Sequence, residues 1–126
     1  MKCRRNAGKI LLVDNEEQIR SILSQLLTKQ GYSVIQAVDG FDALEKFKHN
    51  MQEITLVISD IIMPRMDGIS SCKIMTSISP SLKVIFISGC APEQPLPDGV
   101  SVLIKPFSHF EILEKIRSLL ADQTQS

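Results

Sequence analysis

The chain has 126 residues, 44% of them hydrophobic and 22% charged, with Lys plus Arg and Asp plus Glu balanced at 14 each. That length fits one domain with a real core, and the neutral balance removes the electrostatic case for nucleic acid as a direct partner. The longest apolar runs, such as Ile10 to Val13, are four or five residues, too short to cross a membrane.

Residues 1–8 read as an N-terminal tail. The basic cluster Lys2, Arg4, Arg5 and Lys9 is short and terminal, which is how a solvated tail looks. Cys3-Arg4-Arg5-Asn6 is polar where a signal peptide needs an apolar stretch, so the expected location is the cytoplasm. From Lys9 the chain alternates. A first strand, Lys9 to Val13, is nearly continuous in apolar residues. Ile19, Ile22, Leu23, Leu26 and Leu27 then form a helical stripe that Gly31 stops. Ser33 to Ala37 predicts a second strand, and Asp39 can cap a helix carrying Ala43, Leu44 and Phe47.

The third strand, Ile54 to Ser59, and the fourth, Leu82 to Ile87, are again nearly continuous in Val, Ile and Leu. Such runs mark strands buried on both faces of a parallel sheet, whereas the more alternating second and fifth strands belong nearer an edge. Between strands three and four, Asp67 can cap a helix carrying Ile69, Cys72, Met75 and Ile78, which Ser79-Pro80 ends. Ser88 to Gly99 contains Pro92, Pro95 and Pro97. Proline inside a helix costs about 3 kcal/mol, so at most one turn is expected there. Val100 to Ile104 is the fifth strand, and Ser108-His-Phe-Glu111 opens a last helix with a capping-box pattern. The domain is expected to span 9–121, with a tail over 122–126. Cys3, Cys72 and Cys90 show no C-x-x-C spacing, so neither a disulfide framework nor a zinc site is expected. Cys72 and Cys90 read as small, partly buried apolar residues.

Alternation with short connections predicts an α/β fold, a doubly wound parallel sheet. Ligands of such sheets collect at the carboxyl ends of the strands. Asp14, Asn15 and Glu16 follow strand one, Asp60 follows strand three, Ser88 follows strand four and Lys105 follows strand five. Each alone is more readily a turn or cap residue. Together they bring carboxylates, a hydroxyl and an ammonium to one edge, and oxygen-only ligands favour a hard cation such as Mg²⁺.

The blocks Ile10-Leu-Leu-Val-Asp14-Asn15-Glu16, Ile58-Ser-Asp60-Ile-Ile-Met-Pro64-Arg-Met-Asp-Gly68, Phe86-Ile-Ser88-Gly89 and Leu103-Ile-Lys105-Pro106-Phe107 resemble the receiver domains of two-component response regulators and hybrid histidine kinases. The resemblance covers about residues 9–121 and implies a five-stranded, flavodoxin-like (βα)5 fold, here with a degraded or very short fourth helix. It implies a signalling phosphoacceptor, not an enzyme in the usual sense: Asp60 takes a phosphoryl group from a histidine kinase or histidine phosphotransfer domain. Asp14, Asn15, Asp60 and the backbone carbonyl of Ile62 would hold Mg²⁺ or Mn²⁺. Ser88 would hydrogen-bond to the phosphoryl group, Lys105 would pair with it, and the Lys105-Pro106 bond would be cis. The family's fourth helix contributes to its output and dimer face, with which a weak homodimer is compatible.

Three positions depart from the family pattern. Asn15 replaces an acidic metal ligand; one charge against +2 at ~4 Å and an effective dielectric of ~20 is about 8 kcal/mol gross, much of it offset by desolvation, so weakened Mg²⁺ binding is expected. Val102 replaces an aromatic residue three positions before the lysine, so the usual aromatic switch is not expected. Ile62 puts an apolar side chain near the site mouth, where it is expected to slow water entry. The alternative is a pseudo-receiver, a binding module that keeps the fold without being phosphorylated. An aspartate-nucleophile phosphatase would need a second acid at position 62, and a P-loop enzyme would need a G-x-x-x-x-G-K-[ST] motif that is absent.

Overall fold

Within each central strand, successive apolar side chains point to opposite faces, so helices must cover both sides. The computed structural model describes residues 8–63, 65–91 and 99–124. In chain order it runs β1 (Lys9–Val13), α1 (Glu17–Lys29), β2 (Ser33–Ala37), α2 (Gly40–Asn50), β3 (Ile54–Asp60), α3 (Gly68–Ile78), β4 (Lys83–Ser88), β5 (Val100–Ile104) and α4 (His109–Thr124). The strands form one five-stranded sheet in the order β2-β1-β3-β4-β5, and every neighbouring pair is parallel. The two more alternating strands lie at the edges, as their sequence pattern predicts.

Right-handed crossovers assign the helices to faces. The step from β1 to β2 runs one way along the sheet; the step from β2 to β3 runs back. The helices on those connections therefore cover opposite faces. On one side Leu11, Val13, Val57, Val84 and Phe86 pack with Ala43 and Phe47 of α2 and Cys72 and Met75 of α3. On the other, Ile10, Leu12, Leu56, Ile58, Ile85 and Ile87 pack with Leu23 and Leu27 of α1 and Ile112, Ile116 and Leu120 of α4. Each large apolar side chain so buried contributes about 1.5–3 kcal/mol of transfer free energy.

Asp39 caps α2 by accepting the Asp42 amide at 2.8 Å, and Asp67 caps α3 by accepting the Ser70 amide at 2.7 Å. Ser108 and Glu111 form the predicted reciprocal capping box. Some expectations need correction. Ile22, counted in the α1 stripe, is 55% exposed because it lies on the flank of the buried arc centred on Leu23 and Leu27. Cys90 is exposed rather than partly buried, since it follows the end of β4, beyond the helices that cover Cys72. Strand β3 includes Asp60, β4 runs Lys83–Ser88, and α4 continues to Thr124, past the boundary expected at 121. Of the proline-bearing connection, 92–98 lies outside the described residues, as does the tail over 1–7; the described residues 89–91 and 99 form no helix. No helix among the described residues is long and apolar enough to cross a membrane.

Gly68 fixes how closely α3 approaches the end of β3. A Cβ there would overlap the Asp60 carbonyl oxygen and press on the Ser59 hydroxyl, whereas a Cβ at Gly89 would meet nothing within 4 Å. Gly68→Ala is expected to destabilise the fold by about 1–3 kcal/mol, and Gly89→Ala by no more than about 0.5 kcal/mol. Urea unfolding of both variants checks this; equal effects would contradict it.

Candidate functional site

The strand register places the site. Val13 of β1 lies opposite Ser59 of β3, so Asp14 and Asp60 stand one step further, side by side at the carboxyl edge of the sheet. Asp60 lies opposite Ile87 of β4, which puts Ser88 one step beyond. Ser88 lies opposite Ile104 of β5, and Lys105 follows. The strand order also reverses between β1 and β3, the switch point at which doubly wound sheets open a crevice.

Asp60 and Lys105 form an ion pair, Nζ to Oδ2 3.7 Å, with the carboxylate side chain 14% and the lysine 40% exposed. The Lys105 amide donates to the Ser88 carbonyl at 2.8 Å, and the Lys105-Pro106 peptide is cis. Asp14 is buried. Its Oδ1 accepts the Glu16 amide at 2.8 Å, while Oδ2 is buried and has no hydrogen-bond partner among the described residues. Burial pushes the Asp14 carboxyl above its ordinary range and the Asp60 charge pushes the same way, outweighing the Glu16 amide and Lys105. Both charges thus act on Asp14, so Asp14, Asp60 and Lys105 form one electrostatic cluster.

Other predicted residues stand further from readiness. Asn15 is exposed. The Ser88 hydroxyl donates to the Cys90 carbonyl at 2.9 Å and accepts the Cys90 amide at 3.2 Å, so it must break this local turn to reach a ligand beside Asp60. The Ile62 side chain is 83% exposed and therefore packs on little, which is not the arrangement of an apolar cover. Val102 lies opposite Phe86 and packs, half-buried, against the core.

No cluster of three or more His, Cys, Asp or Glu side chains suited to a metal occurs among the described residues. Asp14 and Asp60 supply carboxylates at the edge, Asn15 an amide and the backbone its carbonyls. These groups all offer oxygen donors, and the buried Asp14 Oδ2 makes no hydrogen bond among the described residues. This chemistry fits a hard divalent cation.

Sequence reasoning missed one pair. Arg65 Nε donates to Asp39 Oδ2 at 2.6 Å, Nη2 reaches Oδ1 at 3.4 Å, and the guanidinium lies 5.1 Å over the Phe41 ring. Burial raises the Asp39 carboxyl, but the Arg65 hydrogen bond, the Asp42 amide and the Arg65 charge outweigh it and hold it below its ordinary value. No sequence signal links positions 26 apart; only the fold brings them together.

Comparison with known proteins gives a consistent picture. Residues 10–117 match the family model described as response regulator receiver domain. The chain is 34% identical over 117 residues to the response regulator receiver protein CpdR of Brucella abortus (strain 2308), covering 89% of this chain and 96% of that one. The solved receiver domain of the hybrid histidine kinase CckA superposes with a TM-score of 0.80 at 36% identity, covering 90% and 99%. The response regulator protein TrrA from Thermotoga maritima, solved in complex with Mg²⁺-BeF, gives a TM-score of 0.78 at 30% identity, covering 89% and 98%.

Asp14 makes the pH dependence of stability predictable. A carboxyl whose folded value is raised favours the protonated form in the folded state. Its contribution to stability is full below the unfolded value near ~3.9 and is lost as pH rises through the folded value. At neutral pH without divalent cations, Asp14→Asn should therefore raise the thermal midpoint, roughly 4 °C for each ~1 kcal/mol. The advantage should shrink as pH falls toward 4. Scanning calorimetry in EDTA at several pH values measures it; a lower midpoint for Asp14→Asn at neutral pH would contradict the assignment.

Proposed function

Because the chain belongs to the response regulator receiver domain family of two-component signalling, we propose that it accepts a phosphoryl group on Asp60 in a Mg²⁺-dependent reaction. The donor is a phosphohistidine on a histidine kinase or histidine phosphotransfer domain, and the setting is the cytoplasm. The observation that carries this reading is the Asp14, Asp60 and Lys105 cluster at the carboxyl edge, with Asp60 paired to Lys105 and the Asp14 Oδ2 left without a partner.

Phosphoryl transfer asks the protein mainly for position and charge neutralisation. Asp60 lies at the end of a rigid central strand, so its carboxylate is held for in-line attack. One Asp60 oxygen bonds to phosphorus as the phosphorus–nitrogen bond of the donor breaks, and the electron pair leaves on the imidazole nitrogen. Lys105 moves from the carboxylate to the phosphoryl oxygens, where negative charge has grown. Ser88 turns away from Cys90 and donates its hydroxyl to the same group. Asp14, Asn15, Asp60 and the Ile62 carbonyl would hold Mg²⁺ (or Mn²⁺), which would supply positive charge at the transferring group. Water entering the same pocket later hydrolyses the acyl phosphate.

The output side departs from a ring-swinging switch, because Val102 carries no large ring and has few rotamers. Phosphorylation acts through altered protein contacts, and Ser88, which must leave its turn with Cys90 to reach the phosphoryl group, is the residue best placed to start the change.

Mass spectrometry after treatment with acetyl phosphate and Mg²⁺ tests the proposal. The wild type is expected to gain about 80 Da, one phosphoryl group, and Asp60→Ala to gain nothing. An equal gain in Asp60→Ala would move the acceptor elsewhere. No transfer to the wild type, from acetyl phosphate or from a phosphorylated histidine domain, would favour the pseudo-receiver.

A further inference from the structure

The loop between β3 and α3, described at residues 61–63 and 65–67, carries the Ile62 carbonyl. Backbone bonds hold it at both ends. The Ile61 amide donates to the Ile87 carbonyl at 3.3 Å, and the Gly68 amide donates to the Ile61 carbonyl at 2.8 Å, closing the loop on itself. Near its far end the Met66 carbonyl accepts the Gly40 amide at 3.1 Å, and the two backbones abut so closely that a Cβ at Gly40 would overlap the Met66 oxygen. Met63 is buried and anchors the loop to the core.

Arg65 adds a tether through its side chain. Its anchor is unusually well fixed: Asp39 is 5% exposed and is already committed to capping α2 through the Asp42 amide. The guanidinium reaches both oxygens of that carboxylate and lies over Phe41. A pair of exposed, flexible side chains is worth little because ordering both costs entropy. Here one partner is buried and immobile and the other is held by a forked contact and a ring, so the pair fixes a geometry. Arg65 stands three residues beyond Ile62 on the same short loop.

We propose that Arg65 is a positioning residue for the cation site: by tying this loop to Asp39 it fixes the direction of the Ile62 carbonyl beside Asp60. The inference rests on the reading that the Ile62 carbonyl is a Mg²⁺ ligand. Arg65 touches neither the cation nor the phosphoryl group; it acts as groups behind metal ligands do, by holding a ligand in its orientation. Arg65 is thereby distinguished from a surface ion pair that serves stability alone.

The test uses Arg65→Ala, Arg65→Lys, Asp39→Asn and the Arg65→Ala/Asp39→Asn double variant. Asparagine keeps the helix cap, and Arg65 is exposed, so all should fold. Amide hydrogen exchange without metal reads the loop directly, and NMR titration with Mg²⁺ alone reads affinity. Arg65→Ala is expected to speed exchange at Gly40 and to weaken Mg²⁺ binding roughly tenfold, the low end for residues behind a metal ligand. Central β1 and β3 amides should stay unchanged. Arg65→Lys should recover part of the loss, and the double variant should be no worse than Arg65→Ala. Unchanged Mg²⁺ affinity in Arg65→Ala, with or without faster exchange, would overturn the positioning role, as would additive losses in the double variant. Failure of the wild type itself to bind Mg²⁺ would instead overturn the metal reading, and this inference with it.

Discussion

Two carboxylates at the ends of adjacent central strands repel, and one of them has been taken out of water. Asp14 is buried, its Oδ2 has no hydrogen-bond partner among the described residues, and both desolvation and the Asp60 charge act against its ionisation. A domain selected for stability alone would neutralise that position. Lys105 offsets only part of the cost, since at 3.7 Å from Asp60 and partly exposed it forms a long ion pair. The remaining imbalance leaves the ionised form of Asp14 disfavoured at this edge, the feature on which the proposed cation site rests.

The rest of the fold serves to hold that imbalance in place. Continuous apolar strands buried on both faces make the edge rigid, and the parallel register delivers Asp14, Asp60, Ser88 and Lys105 from four strands to one line. Gly68 lets α3 come close behind Asp60, and Gly40 lets the loop before α3 lie against the start of α2. The groups assigned to the phosphoryl ligand are lightly held: among the described residues the Ser88 hydroxyl bonds within its own turn to Cys90, and the Lys105 side chain is half-exposed.

Much of this was legible in the sequence because it depends on local pattern. Strand runs such as Lys9-Ile-Leu-Leu-Val13, the capping residues Asp39 and Asp67, and the Ser108–Glu111 box each have a signal within a few residues. The motif around Asp60 was legible too, since its residues lie in a fixed order at strand ends. What escaped depends on distances between remote segments. The Asp39–Arg65 tie joins positions brought together only by the β2–α2 and β3–α3 connections. The exposure of Ile22 follows from where α1 sits on the sheet, and that of Cys90 from how β4 ends; composition gives neither. The closed state of Ser88 is a rotamer choice that residue identity cannot encode.

The proposed cation site requires that the edge be unfavourable by itself and be completed by a divalent cation. The thermal midpoint of wild type and Asp14→Asn, each with and without saturating Mg²⁺, tests it most directly, because a ligand that binds only the folded state must raise the midpoint. A clear rise is expected for the wild type and little or none for Asp14→Asn. No rise in the wild type, or an equal rise in both, would contradict it.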